Sequence, residues 1–253
     1  MPVTGNNQLQ YNLSIRITAD GFSFFVTEAF SGDLMHREDF AKREDETMSR
    51  TLSKMMVRPS ITRHTYNNVR VVIDSDSTCI PIDEFSRENL QQYYKLIFDN
   101  VDIEANKVCY TVIPQIEVVE AFTVPKDICD TVLEFYPEAT FTNSYAMVLT
   151  RTTQFCNNRA PSTRPLFAYV QNRQLFLFSI FQDKLLFANS FMVDQEQNAL
   201  FYLLSVWKEL GLDVYNNICF IGGDPEPTKK LTEEAKAYLQ HVEMMETIDL
   251  AHL

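Results

Sequence analysis

Hydrophobic and polar residues alternate near the start of the chain in a way that predicts three strands joined by tight turns. Residues 13–18 alternate with a period of two, which is typical of a half-buried strand. Asp20-Gly21 is a turn signal, because glycine accepts a positive φ without steric cost. Residues 22–28 then form the returning strand, and residues 34–40 supply a third. We therefore expect an antiparallel meander at this end of the chain.

A helix and a buried strand are predicted after the meander. Residues 41–57 are rich in helix-forming side chains, and Pro59 closes the helix because proline cannot continue it. Residues 69–74 form a short, largely apolar run after a polar turn, which indicates a buried strand. The unit is thus three strands, a helix and a strand.

The same order of elements recurs in the second half of the chain. Three strands are predicted at 166–170, 174–181 and 185–192. A long helix follows from Asp194 to residue 210, and the strand at 218–221 ends in Gly222-Gly223. Two copies of one layout predict an α/β protein made of two related lobes, each with a mixed sheet flanked by helices around a shared cleft.

The remaining segments are assigned by the same patterns. Helices are predicted at 86–98, 125–136, 144–155 and 232–242, and strands at 108–113, 116–124 and 139–143. Residues 157–165 hold two prolines and little apolar content, which is typical of a linker. We therefore expect a first lobe over residues 1–156, with inserted strands and helices, and a second lobe over residues 157–253.

Composition excludes several classes of function. A net charge of −12 repels phosphate backbones, so we expect no nucleic-acid partner. The longest apolar runs, such as 175–181, are far shorter than a bilayer span, and residues 1–10 lack the apolar core of a signal peptide. The five cysteines are odd in number and never form a C-x-x-C pair, which favours reduced thiols and a cytoplasmic location.

The duplicated layout resembles the actin-like ATPase superfamily, whose members carry two ribonuclease-H-like lobes. The second copy, with its meander, long helix and strand ending in Gly222-Gly223, resembles the pilus-assembly and type II secretion members. The chain as a whole also resembles a family of uncharacterised proteins from Bacteroides-type bacteria with this fold. The resemblance implies a nucleotide site between the lobes, with an Asp in the first strand of each lobe and a glycine-rich turn after it.

The residues at those positions depart from the superfamily pattern. Arg16 stands where the resemblance expects the first Asp, and the turn that follows has one glycine. The matching segment of the second lobe, 168–173, has neither Asp nor glycine. Glycines let backbone N–H groups approach phosphates closely, so both phosphate loops are degenerate. We therefore assign no catalytic residue and no cofactor, although ATP with magnesium stays open.

Five residues are the candidates for nucleotide contact that the resemblance leaves: Asp20, Gly21, Gly222, Gly223 and Asp224. Each also has a purely structural interpretation as a turn residue. The chain contains only 6 glycines, and this scarcity favours the structural interpretation. Asp74 and Asp76 could form a metal-binding pair at a strand end, but that chemistry also needs an Asp in the first strand, where Arg16 stands. We therefore favour a polar turn and assign no metal site.

Two functions of different classes follow. The first is a non-catalytic binding or scaffold protein that holds another protein or a peptide, as the resemblance to pilus and secretion proteins implies. The alternative is an ATP-binding enzyme, ATPase or kinase-like, with an atypical site between the lobes. A homodimer or a larger self-assembly is a third arrangement that the superfamily's filament formers suggest.

Overall fold

A computed structural model describes residues 11–42, 45–159, 161–193 and 196–245. The strands of this part of the chain are β1 (Tyr11–Thr18), β2 (Gly21–Glu28), β3 (Leu34–Ala41), β4 (Tyr66–Ile73), β5 (Ser77–Pro81), β6 (Asn106–Ile113), β7 (Val118–Pro125), β8 (Thr140–Asn143), β9 (Leu166–Gln171), β10 (Gln174–Phe181), β11 (Lys184–Met192), β12 (Ile218–Gly223) and β13 (His241–Met244). The α-helices are α1 (Met48–Met56), α2 (Pro59–Thr62), α3 (Leu90–Ile97), α4 (Lys126–Phe135), α5 (Ser144–Arg159), α6 (Glu196–Glu209) and α7 (Pro225–Ala235). No helix among the described residues is long and apolar enough to cross a membrane.

Two five-stranded sheets share one topology. The first sheet has the order β3-β2-β1-β4-β8, and the second has the order β11-β10-β9-β12-β13. In both sheets, the first three strands in this order pair antiparallel. In the first sheet, β4 then pairs in parallel with β1, and β8 pairs in parallel with β4. In the second sheet, β12 pairs in parallel with β9, and β13 pairs in parallel with β12. The predicted duplication is therefore present strand for strand. We call each sheet with its helices a lobe.

Each sheet buries one face under its own helices. In the first lobe, α1 and α4 cover residues such as Ile15 and Val71. In the second lobe, α6 and α7 cover the corresponding face, where Leu203 and Trp207 pack against Leu177. Alternation along each strand places the intervening side chains on the opposite face. In the second lobe, that opposite face belongs to a separate buried cluster with α5.

A third, antiparallel sheet of order β5-β7-β6 is inserted between β4 and β8. Helix α5 starts directly after β8 and packs on the inner face of the second sheet, where Tyr145 meets Phe176 and Phe178. The helix runs to Arg159, past the start of the linker predicted over 157–165.

Two predicted helices of the first lobe differ from the structure, and one strand was not predicted. The helix predicted over 41–57 begins only at Met48, because Ala41 still pairs with Gly21 in the sheet and Thr47 caps the helix. A 3-10 turn at Arg87–Asn89 replaces the first turn of the helix predicted over 86–98. Strand β5 was not predicted, since its only buried residue is Ile80 and it therefore lacks an apolar run.

The helix predicted over 232–242 is wrong at both ends. Helix α7 begins at Pro225, a residue suited to the first turn because its missing N–H is not needed there. It ends at Ala235, and the chain then forms β13 parallel to β12. This edge strand buries only Val242, so no period-two pattern marked it. The predicted cap Asp194 lies outside the described residues.

Glu120 is a fully buried carboxylic acid at the centre of β7. Neither carboxyl oxygen has a well-formed hydrogen bond within the described part of the chain. Burial raises the pKa of Glu120 to about 8, and the nearby Ser77 hydroxyl and Ala146 N–H only partly oppose this shift. The Glu120 carboxyl group therefore stays protonated near neutral pH. It lies close to the first turn of α5, which contains Ala146.

Replacing Gly223 with alanine should destabilise the protein strongly. A Cβ at this residue would lie 1.9 Å from the carbonyl oxygen of Val170, and the φ of +117° already disfavours a side chain. We expect a loss of about 2–4 kcal/mol in the free energy of unfolding, measured by urea denaturation. Gly211→Ala is the control, because Gly211 also has positive φ but open space around its Cβ position. Equal losses in the two variants would contradict the packing argument.

Glu120→Gln should remove a pH dependence of stability. Because the folded pKa of about 8 lies above the unfolded value, the folded protein alone holds the proton between these two pKa values. Raising the pH from about 4.5 to about 8 therefore lowers wild-type stability, by on the order of a few kcal/mol. Thermal melts from pH 5 to 8.5 should show a smaller decline for Glu120→Gln than for wild type and the exposed control Glu134→Gln. Parallel declines in all three proteins would refute a buried, protonated Glu120.

Candidate functional site

The candidate site lies where the central strands of the two sheets end. Arg16 is on β1, and Asp74 directly follows the parallel neighbour β4, with its N–H donating to Ile17 O at 3.1 Å. One guanidinium nitrogen of Arg16 lies 3.4 Å from Asp74 Oδ2, and both side chains are largely shielded from solvent. The residue found in place of the expected Asp is therefore ion-paired within the first lobe.

The second lobe reaches this ion pair through the turn between β9 and β10. Asn172 Nδ2 donates to Asp74 Oδ2 at 2.7 Å. Asn172 and Arg173 have φ values of +49° and +62°, a tight hairpin turn that asparagine tolerates well. The turn conformation thus carries the amide across to the first lobe.

Asp224 anchors the same turn from the end of β12. Its Oδ2 accepts the backbone N–H of Asn172 at 3.0 Å, and its own N–H donates to Val170 O at 2.8 Å. Arg16, Asp74, Asn172 and Asp224 therefore form one hydrogen-bonded chain between four strand ends, which we call the cleft bridge. It joins the lobes at the position where the resemblance predicts a nucleotide.

The cleft bridge limits the chemistry open to these groups. Asp74 Oδ2 is already shared by a cation and an amide, so this oxygen is a poor metal ligand or general base. Asp74 Oδ1 and Arg16 Nε are buried and without a hydrogen-bond partner among the described residues, which leaves room for a further polar contact. Within the described ranges, no group of three or more His, Cys, Asp or Glu could hold a metal ion.

The structure places Asp20 and Gly21 in the hairpin between β1 and β2. Asp20 is exposed, and its carbonyl accepts the N–H of Lys42 at 2.7 Å. A Cβ on Gly21 would lie 2.0 Å from Phe40 O, so pairing with β3 is enough to require glycine here. Among the described residues, no hydrogen bond or ion pair joins either of these two residues to the cleft bridge. Their assignment to nucleotide contact stays a prediction.

Gly222 and Gly223 lie at the end of β12, beside β9. A Cβ on Gly222 would meet Met245 at 3.2 Å and Tyr169 at 3.4 Å, and Gly223 packs against Val170. Strand packing therefore accounts for both glycines without a ligand. Of the five predicted residues, only Asp224 belongs to the cleft bridge.

Asn143 is a buried residue beside the cleft that the sequence patterns did not single out. Its Nδ2 donates to Ser75 O at 2.7 Å, and its Oδ1 accepts the N–H of Tyr145 at 2.8 Å. It therefore caps α5 and fixes the segment after Asp74. Asparagine directly before a helix was the signal available. The sequence analysis treated Asn172 only as part of a turn that lacks Asp and glycine. Its hydrogen bond to Asp74 could be recognised only from the structure.

Two solved structures are similar to this chain in fold. One is a Bacteroides thetaiotaomicron VPI-5482 protein with an actin-like ATPase fold and unknown function, 23% identical, covering 97% of this chain and 94% of that chain with a TM-score of 0.80. The other belongs to a PilM–PilN type IV pilus biogenesis complex, 10% identical, covering 96% of this chain and 91% of that chain with a TM-score of 0.52. No curated protein sequence matches significantly.

These comparisons confirm the predicted fold class and the predicted resemblance. The chain has the actin-like ATPase fold, with two mixed sheets of identical strand order and flanking helices. A family model described as a protein of unknown function (DUF3822) matches residues 3–242. The chain therefore belongs to the DUF3822 family.

Proposed function

We propose that this protein is a non-catalytic member of the actin-like ATPase fold that acts in the cytoplasm by binding another protein. The cleft bridge carries this proposal, because Arg16 and Asn172 occupy Asp74 where a phosphate-bound metal would need a free carboxylate. The two lobes, proposed as residues 1–156 and 157–253, then serve as a scaffold. Five free cysteines are consistent with a reducing compartment.

A protein partner is supported by likeness of fold. The PilM–PilN structure is a type IV pilus biogenesis complex, and 96% of this chain aligns with the similar chain in it. We extend to this chain only the class of partner, a protein or peptide. Helix α5 and the cleft bridge both connect the two lobes.

The alternative is an ATP-binding enzyme with an atypical site. One observation favours it: Asp74 and Asp224 converge on Asn172, so two carboxylates from different lobes lie close to one another. In that case ligand binding would have to displace Asn172 from Asp74. The two proposals therefore differ in whether Mg-ATP opens the cleft bridge.

Titration calorimetry separates the two proposals. We expect no binding of ATP with magnesium up to about millimolar concentration, a free energy weaker than about −4 kcal/mol, because Arg16 and Asn172 already bind Asp74 Oδ2. Parallel titrations with magnesium alone and with ATP alone are the controls. Micromolar binding together with phosphate release would reject the non-catalytic proposal and favour the enzyme.

Asp74→Ala should show that the cleft bridge holds the lobes together. The variant loses the acceptor of Asn172 and leaves the shielded Arg16 guanidinium without a counter-charge. We expect the free energy of unfolding to fall by about 2–3 kcal/mol in urea denaturation. Asp76→Ala is the matched control, since Asp76 is exposed and its side chain has no partner in the described structure; its loss should stay below about 0.5 kcal/mol. Similar losses for both would show that the bridge contributes little.

A further inference from the structure

Arg70 is a half-buried cation without a counter-charge in the described part of the chain. It lies on β4 between Ser14 of β1 and Thr140 of β8, on the sheet face opposite the core formed with α1 and α4. Among the residues that the structure describes, no carboxylate forms an ion pair with it and no group forms a hydrogen bond with it. Partial burial lowers the pKa of Arg70, because desolvation disfavours the charged form.

Partial burial distinguishes Arg70 from other arginines without an ion pair. Asp and Glu number 34 against 22 Lys and Arg, so carboxylates are abundant. Some guanidiniums pair with them, as Arg37 does with Asp39 and Arg16 with Asp74. Arg87 and Arg164 form no ion pair among the described residues, but both are exposed to water. A shielded charge that no internal carboxylate compensates costs free energy, which an external anion would recover.

An open cavity of about 530 Å³ borders Arg70. We call it the Arg70 cavity, and it lies between β6, β8 and the first turns of α5. Hydroxyl groups line one part: Thr111 and Thr142 lie with their oxygens 3.3 Å apart, and Thr150 donates to a helix carbonyl. Apolar groups, including Met147, line the remainder. No residue of the cleft bridge lines this cavity.

The geometry points to a ligand class: we propose that the Arg70 cavity binds a single carboxylate carried on an apolar group. A guanidinium pairs with a carboxylate through two parallel N–H···O bonds. Since one hydrogen serves the bond between Thr111 and Thr142, the other hydroxyl of that pair can donate to the same carboxylate. The cavity volume falls in the range of small-molecule sites, and its apolar part suits a hydrocarbon or aromatic body. A phosphate monoester, with about two charges, would exceed what one guanidinium compensates.

The carboxylate has two possible sources, a free organic acid or the end of a peptide, and the cavity chemistry is the same for both. This site is independent of the proposed scaffold function, since none of its lining residues belongs to the cleft bridge. Its failure would leave the scaffold proposal untouched.

Calorimetric titration of the full chain with two matched probe pairs tests the site. One pair is 4-phenylbutyrate and its amide, and the other is acetyl-Ala-Ala-Phe with a free or an amidated C-terminus. We expect at least one carboxylate to bind, and its amide to bind at least about tenfold more weakly because the charged hydrogen bonds are lost. The tighter of the two carboxylates identifies the source. No binding of either carboxylate at millimolar concentration, or equal binding of acid and amide, overturns the proposal.

Variants then locate the site. Arg70→Leu should weaken carboxylate binding at least about tenfold, without a lower melting temperature, because the residue it removes has no internal partner. Arg87→Gln is the control of equal charge change, on an exposed arginine, and should bind as wild type does. If Arg70→Leu does not fold, Arg70→Lys decides, since it keeps the charge but loses the planar fork and should weaken binding several-fold. Unchanged affinity in either Arg70 variant overturns the assignment.

Discussion

The aromatic layer between α5 and the inner face of the second sheet is the interaction on which the arrangement of the lobes depends. Tyr145 stacks on Phe176 with ring centroids 4.6 Å apart, and Phe167 stacks between Phe178 and Phe220 at 5.3 and 5.2 Å. Burying each of these rings contributes about 1.5–3 kcal/mol. Since α5 leaves the last strand of the first sheet directly, this layer fixes one sheet to the other and sets the width of the cleft.

At that width, the cleft is spanned by side chains of the protein itself. Asn172 reaches Asp74 from the opposite lobe, and Arg16 balances the charge of the carboxylate. In our account, a positive charge and an amide have taken the position at which an actin-like ATPase would hold a metal and a phosphate. The hydrophobic cores of the two lobes include no residue of the cleft bridge. In our proposal, the fold can therefore persist without a nucleotide site.

Strands with a clear alternation or a long apolar run could be predicted from the sequence. Contacts between residues far apart in the sequence could not. Strand β10 matches its predicted range, 174–181, because both faces of it are buried and its turns are distinct. Strand β13 buries one residue and left no pattern. Arg16 was recognised as a departure from the family, but its partner Asp74 lies 58 residues away in the sequence. The second partner of Asp74, Asn172, lies in the other lobe. A single sequence carries no signal for such pairs, nor for the lack of a partner at Arg70.

The most direct test of the central claim is a crystal structure determined with magnesium and a non-hydrolysable ATP analogue. The quantity to measure is the distance from Asn172 Nδ2 to Asp74 Oδ2, now 2.7 Å. We predict that it stays within hydrogen-bonding range and that no ordered phosphate lies between the lobes. An ordered triphosphate at the ends of β1 and β9, with Asn172 displaced from Asp74, would contradict the account.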